Sequence, residues 1–301
     1  MPATVEHPEY VLPNNAAESD RLDFQHILLT RTFEGLHRAP LDTSKPLRVL
    51  DIGCGTGNWA IDFAKQSPQS QVIAFDVQEK GDWATAPSNC TFKVADLETD
   101  ETWSSLGDFD FIHGRFIVIG VRDWHALLKR CHAHLLPGGF VEVQEFCMPC
   151  KSLDSKDEET SKFIAWSNSM VSVGNQIKLK LQIMNDMPDL MKAAGIQGVD
   201  LKEFRMLTGP WMEDEEGKVL GRMGQQNLVQ GMYGFGETLH TKILGWSGEK
   251  YQGWVDGIRK EMLEDGLRTW LPVKGMSKWT YEGREETYAP QYLPICLIRK
   301  S

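Results

Sequence analysis

Positive charge is in short supply in this sequence: 32 lysines and arginines stand against 42 aspartates and glutamates, a formal charge of −10 at neutral pH. A sequence-independent grip on nucleic acid needs clustered basic side chains against phosphates, so a nucleic-acid partner is not expected. Long apolar runs are missing too, since nothing approaches the roughly 18 residues of a membrane span. The opening, with Glu6, His7 and Glu9, has neither the basic start nor the apolar core of an export signal. These absences predict a soluble cytoplasmic protein with no membrane contact. Cysteine is sparse, at positions 54, 90, 131, 147, 150 and 296, unlike the dense pattern of a small secreted scaffold, and reduced thiols are expected. Repeats and low-complexity tracts are also lacking. What remains is an ordinary globular composition, 41% hydrophobic and 25% charged over 301 residues, enough for one sizeable core with elaborations.

The order of segments sets the fold class. Pro2 to Asn15 reads as an arm, and a helical pattern follows from about Ala16 to Leu36, ahead of the first strand. From Leu47 short β-prone runs alternate with helices: strands at Arg48–Gly53, Gln71–Asp76, Thr91–Asp96, Phe109–His113 and Phe140–Phe146, with a helix at Asn58–Gln66. A further helix carries the stripe Trp124, Leu127, Leu128, Cys131 and Leu135, and Pro137-Gly138-Gly139 is its expected stop. This alternation predicts a doubly wound, mostly parallel α/β sheet of seven strands. After Cys147 the rhythm breaks: a charged stretch and a helix from Ser161 read as an insertion over the sheet. A helix at Pro188–Ala194 leads to a sixth strand at Val199–Leu207, Glu213 to about Thr287 reads as mostly helical patches, and Leu293–Ile298 is the expected final strand. The division that follows is an N-terminal arm and helix over residues 1–46, then the α/β domain over 47–301 with helical insertions at about 147–187 and 212–287.

Chemistry concentrates where strands end. Asp51 closes the first strand, and glycines at 53, 55 and 57 precede the next helix, so the backbone can turn tightly and a ligand can approach without meeting a Cβ. A dinucleotide site wants Gly-x-Gly-x-x-Gly, and Asn58 stands at the last position, which favours a nucleoside ligand without pyrophosphate. Asp76, at the end of the second strand, is placed to accept hydrogen bonds from both ribose hydroxyls, with Val77 beside it. Asp96 and Leu97 occupy the corresponding end of the third strand and are candidates to border an adenine. His113 and Arg115 follow the fourth strand at the mouth of the same cleft. His113 reads equally as a proton acceptor or as a packing residue. Asp23 and His26 on the first helix, with Gln144 and Glu145 on the fifth strand, are the candidate substrate and lid positions. No metal site is expected: Cys147-x-x-Cys150 is a single pair in a loop, and Cys131, His132 and His134 point to different faces of one helix. Trp166, Met170, Trp211, Met223, Met232 and Trp246 read either as core or as the wall of an apolar substrate pocket.

Several of these runs together resemble the fungal LaeA-like class I methyltransferases. They include Tyr10–Asn14, Glu18 with Asp20–His26, Val49–Ala64, Phe109–Phe116, Arg122-Asp123-Trp124 and Pro137–Glu145. Cys54 departs from the usual threonine, and Val77-Gln78-Glu79 replaces a common Leu-Ser-Pro. The resemblance implies S-adenosyl-L-methionine as cofactor and methyl transfer to an oxygen or nitrogen of a small-molecule, secondary-metabolite acceptor. It also implies an alternative, a cofactor-binding regulator of secondary metabolism that works through protein partners, for which a nuclear location is compatible. Because it precedes the first strand and ligands of open α/β sheets bind at the carboxyl ends of the strands, the first helix is expected either to fold as a lid over the cleft or simply to pack on the sheet. The acceptor and the oligomeric state are left open.

Overall fold

A computed structural model describes residues 15–279 apart from 197 and 265. The final strand expected at Leu293–Ile298 and the arm before Asn15 lie outside the described residues. Helix α1 (Ala16–Thr32) starts at Asn15, whose side chain accepts from the Glu18 N–H. Strand β1 (Arg48–Ile52), helix α2 (Asn58–Gln66) and strand β2 (Gln71–Asp76) follow where the sequence places them. Then come β3 (Cys90–Val94), α3 (Asp100–Ser104), β4 (Phe109–Arg115) and α4 (Trp124–Ala133). Beyond β5 (Leu135–Phe146) lie β6 (Lys151–Ser152), α5 (Asp157–Thr160), α6 (Lys162–Gln176), α7 (Met187–Ala193) and β7 (Asp200–Leu207). Helix α8 (Glu215–Thr238) runs into a π-helical turn at Leu239–Ile243, and α9 (Gly248–Glu264) precedes β8 (Thr269–Trp279).

The described strands number eight, one more than expected, and form one sheet. Its parallel part runs β3-β2-β1-β4-β5. β8 adds antiparallel to β5, and β7 pairs antiparallel with the same stretch of β8 from its other side. The pleat sorts side chains to two faces. Val49 and Phe111 pack with Trp59 and Phe63 of α2, while Leu50 and Ile112 join the larger core with Val141 and the α4 stripe. A fully buried Phe63 or Phe111 contributes about 1.5–3 kcal/mol.

Three expectations need correction. The α4 helix ends at Ala133, where the His134 N–H returns to the Arg130 and Cys131 carbonyls. Pro137-Gly138-Gly139 therefore does not stop it; the three residues lie in β5, whose pairing with β4 slips between Phe109 and Phe111. Second, the sheet has eight described strands in place of seven; the strand expected as the sixth forms as β7, and its one pairing among the described residues is antiparallel to β8. Third, the stretch read as helical to about Thr287 contains β8, an interior strand despite Pro272 and Gly275.

Helix α8 lies against the segment leaving β7 through a row of glycines. A Cβ at Gly224 would overlap the Leu207 carbonyl oxygen, one at Gly221 the Gly209 carbonyl, and one at Gly217 lies against Met212. Backbone thus approaches backbone along one face of the helix.

Candidate active site

The carboxyl ends of β1, β2 and β4 converge, and the chain leaves β1 through the glycine turn. Gly55 adopts φ +58°, and a Cβ there would meet nothing within 4 Å, so this residue borders open space. Gly57, the residue before α2, has φ +88° and is closed in by Phe92 and Trp83 at 2.6 and 3.3 Å from a notional Cβ. The Gly55 N–H donates to Asp76 Oδ2 at 3.0 Å, the Gln78 N–H to Oδ1 at 3.3 Å, and the Lys80 ammonium lies 3.9 Å from Oδ1.

Helix α1 crosses over this end of the sheet. Arg115 donates to His26 Nδ1 at 2.7 Å, which leaves His26 Nε2 as the N–H that reaches Asp62 Oδ2 at 3.0 Å. Burial, then the Arg115 cation, hold the His26 pKa down, so this imidazole is a neutral link with both nitrogens engaged. Burial lowers the Arg115 pKa to about 10, and it stays cationic at neutral pH with its NH1 atom buried and unpaired among the described residues.

Below these lies a second buried pair. His113 Nδ1 is 2.8 Å from Asp51 Oδ1, and the imidazole stacks flat on Trp59, ring centroids 3.7 Å apart. Burial pushes the Asp51 carboxyl up to about 8 and the His113 imidazole well below its ordinary range. At neutral pH the pair carries no net charge. Asp51 Oδ2 and His113 Nε2 have no partner among the described residues.

One chamber joins these parts. Asp51, Gly53, Gly55, Asp76, His113, Arg115 and His26 border it, together with Arg21, Leu22, Gln25 and Leu29 of α1. Its far wall is apolar: Met148, Met170 of α6, Leu181, Met206 of β7, and Leu228 and Phe235 of α8.

The remaining sequence candidates lie elsewhere. Val77 and Asp96 are exposed, and the Asp96 carboxylate accepts the Glu98 N–H at 2.9 Å; Leu97 belongs to the core. Asp23 is exposed and accepts from Asn58 at 2.7 Å. Gln144 and Glu145 are fully buried in β5: Gln144 donates to the Leu36 carbonyl and Glu142, and Glu145 receives the Val118 and Phe146 N–H groups. None of these six borders the chamber. Of the Met and Trp residues read as possible pocket wall, Met170 borders it, while Trp166 and Met232 are core. Sequence reasoning missed Arg21, Gln25 and Asn227. Arg21 and Gln25 stand inside the run Asp20–His26, but only their spacing toward one helix face could have singled them out. Among the described residues no three His, Cys, Asp or Glu side chains are placed to hold a metal ion, and no helix is long and apolar enough to cross a membrane.

A parallel α/β sheet with a glycine turn after its first strand, an acid ending its second and a chamber over both defines a class I methyltransferase fold. The chain belongs to the methyltransferase-domain family, whose model matches residues 24–199, and its cofactor is S-adenosylmethionine. It is 31% identical over 259 residues to methyltransferase pytC of Aspergillus terreus, covering 86% of this chain and 79% of the relative. It is 27% identical over 267 residues to the secondary metabolism regulator laeA of Aspergillus fumigatus, 87% of this chain and 70% of the relative. Among solved structures it is similar to phosphoethanolamine N-methyltransferase 2 of Haemonchus contortus, with 17% identity and a TM-score of 0.48, covering 87% of this chain and about half, 52%, of that one.

Proposed function

We propose that this methyltransferase acts on an oxygen or nitrogen of a small, largely apolar acceptor of the secondary-metabolite kind. The observation that carries this reading is the single chamber, which runs without a break from the glycine turn to the apolar wall of α6, β7 and α8. A cofactor and an acceptor can therefore meet inside it, away from water. The regulator alternative has no comparable feature in its favour, because a protein partner needs no enclosed apolar chamber.

The residues present fit the cofactor. Gly55 leaves a cradle that a side chain would fill, and Asp76 keeps lone pairs for ribose hydroxyls beyond the N–H groups it already accepts. Asp51 Oδ2 and the Arg115 NH1 atom are buried, polar and unpaired among the described residues, as groups awaiting a charged ligand are. S-adenosylmethionine supplies an electrophilic methyl group on a sulfonium. The chain supplies position: α1 and α8 confine the acceptor, Arg115 is held rigid through His26 and Asp62, and closure excludes water. His113, stacked on Trp59 and bonded to Asp51, orients that carboxyl, and burial, which holds its pKa well below the ordinary range, makes it a poor base. Helix α1, one wall of the chamber, serves as the cover that opens for exchange.

Methyl-labelled S-adenosylmethionine incubated with the protein and an organic extract of fungal culture tests the reading. Label is expected in small molecules of the extract. If the protein binds S-adenosylhomocysteine in calorimetry but labels nothing, and instead retains a stable protein partner, the regulator reading replaces this one.

A further inference from the structure

Where α8 meets α1, the chamber wall passes from the apolar side chains of α8 to a polar group built around Asn227 and Arg21. Asn227, on α8, is 1% exposed and borders the chamber. Its Oδ1 accepts from Arg21 NH1 at 2.9 Å. Arginine can only donate, so the amide orientation is fixed: oxygen toward α1, and Nδ2 turned the other way. Arg21 is itself immobilised, since its other nitrogens donate to both oxygens of Glu18 at 2.8 and 2.6 Å. A cation pinned at both ends thus sets the direction of the amide. The Nδ2 atom has no partner among the described residues. A buried amide N–H without a partner is costly, so such groups persist where something is present to take the bond.

Resting on the proposed methyl transfer to a small molecule, we infer that Asn227 is an anchor for the acceptor: its Nδ2 donates to a carbonyl or hydroxyl oxygen on an otherwise apolar ring system seated against Met170, Leu181, Met206 and Phe235. This narrows the acceptor class. Met170, Leu181, Met206 and Phe235 suit an uncharged, mostly hydrocarbon body, with Arg21 neutralised by Glu18, and the free Asn227 donor selects a molecule with an oxygen at one edge. An acceptor without that oxygen leaves the amide unpaired and binds less well, which is how a site built around a hydrogen bond discriminates. Asn227 touches substrate in this scheme, whereas Glu18 and Arg21 are positioning residues that act through it.

The pair 1-tetralone and tetralin, the same bicyclic body with and without a carbonyl, tests the inference. Binding of each to protein saturated with S-adenosylhomocysteine is measured by ligand-observed NMR. The wild-type protein is expected to favour tetralone by about three- to tenfold, the range of one hydrogen bond. Asn227→Leu should abolish the preference. Asn227→Asp keeps an oxygen for Arg21 but lacks the N–H, and should abolish it as well, which guards against loss through disrupted packing. S-adenosylhomocysteine affinity should be unchanged in both variants. Equal binding of the two compounds by wild type, binding of neither, or a preference that survives both substitutions overturns the anchor while leaving methyl transfer intact. Failure of the wild-type protein to bind S-adenosylhomocysteine would instead overturn the reading on which the anchor rests.

Discussion

Asp76 accepts two backbone N–H bonds and still borders the chamber, and it is the carboxylate proposed to hold the cofactor. Asp76→Ala is expected to weaken S-adenosylhomocysteine binding by about 1.5–3 kcal/mol, roughly ten- to a hundredfold, the scale for hydrogen bonds to a charged group. Calorimetry checks it, and an affinity within threefold of wild type would count against the assignment. Asp51 makes a different prediction, about pH. Burial raises its folded-state pKa from the ordinary carboxylate range to about 8. Between those values the folded protein holds a proton that the unfolded chain has released. Its contribution to stability is therefore fully present below about pH 4 and is lost as pH rises toward 8. Asp51→Asn, which cannot ionise, should flatten that part of the profile, and denaturant unfolding from pH 5 to 8 without cofactor measures it. An unchanged slope would mean that Asp51 is already ionised in the folded state.

Among the elements, α8 is the one whose packing tolerates least. Because a methyl group at Gly224 would strike the Leu207 carbonyl, and carbonyls cannot rotate away as side chains do, Gly224→Ala should lower stability by about 1–3 kcal/mol. Gly253, exposed on α9 with nothing near a notional Cβ, is the control. There alanine should stabilise by roughly 0.5–1 kcal/mol, because it only removes glycine's disorder in the unfolded chain. Thermal unfolding separates the two, and equal melting temperatures would refute the backbone contact. The sequence was readable where periodicity and turn chemistry agreed: α2 and β2 have the bounds expected, and the glycine turn lies where Asp51 promised it. It was unreadable in β8, because Pro272 and Gly275 argue against an interior strand, and only neighbours on both sides supply the bonds that make it one. The site was half legible for a similar reason. Strand ends carry local signals, so Asp51, Asp76 and Arg115 could be named. Arg21 and Asn227 meet across 206 positions, and no local pattern announces that. Glu145 misled because a buried carboxylate that caps backbone N–H groups looks, in sequence, like one that awaits a substrate.

At the scale of the molecule, the helix proposed as a cover is also part of the frame. Leu28, Leu29 and Phe33 are buried in the main core, and the buried Glu142 carboxylate takes the Arg38 and Ala39 N–H groups just beyond them. Deleting residues 1–36 is therefore expected to cost cooperative folding and not merely to open the chamber; a truncated protein with a native melting transition would refute this. The opening proposed above therefore calls for movement of the first turns of α1, around Glu18 to Leu22, which parts the Arg21–Asn227 bond while the last turn stays fixed. The place of β8 has a consequence for how the chain is made. The seat beside β5, β6 and β7 belongs to residues 269–279, so while the ribosome is still synthesising the preceding stretch, three strands stand with bare edges and nothing to join them. Strand edges of that kind recruit other chains. A nascent polypeptide halted before Thr269 should accordingly be bound by chaperones and released once β8 has emerged, so the protein's most exposed moment comes late in its own translation.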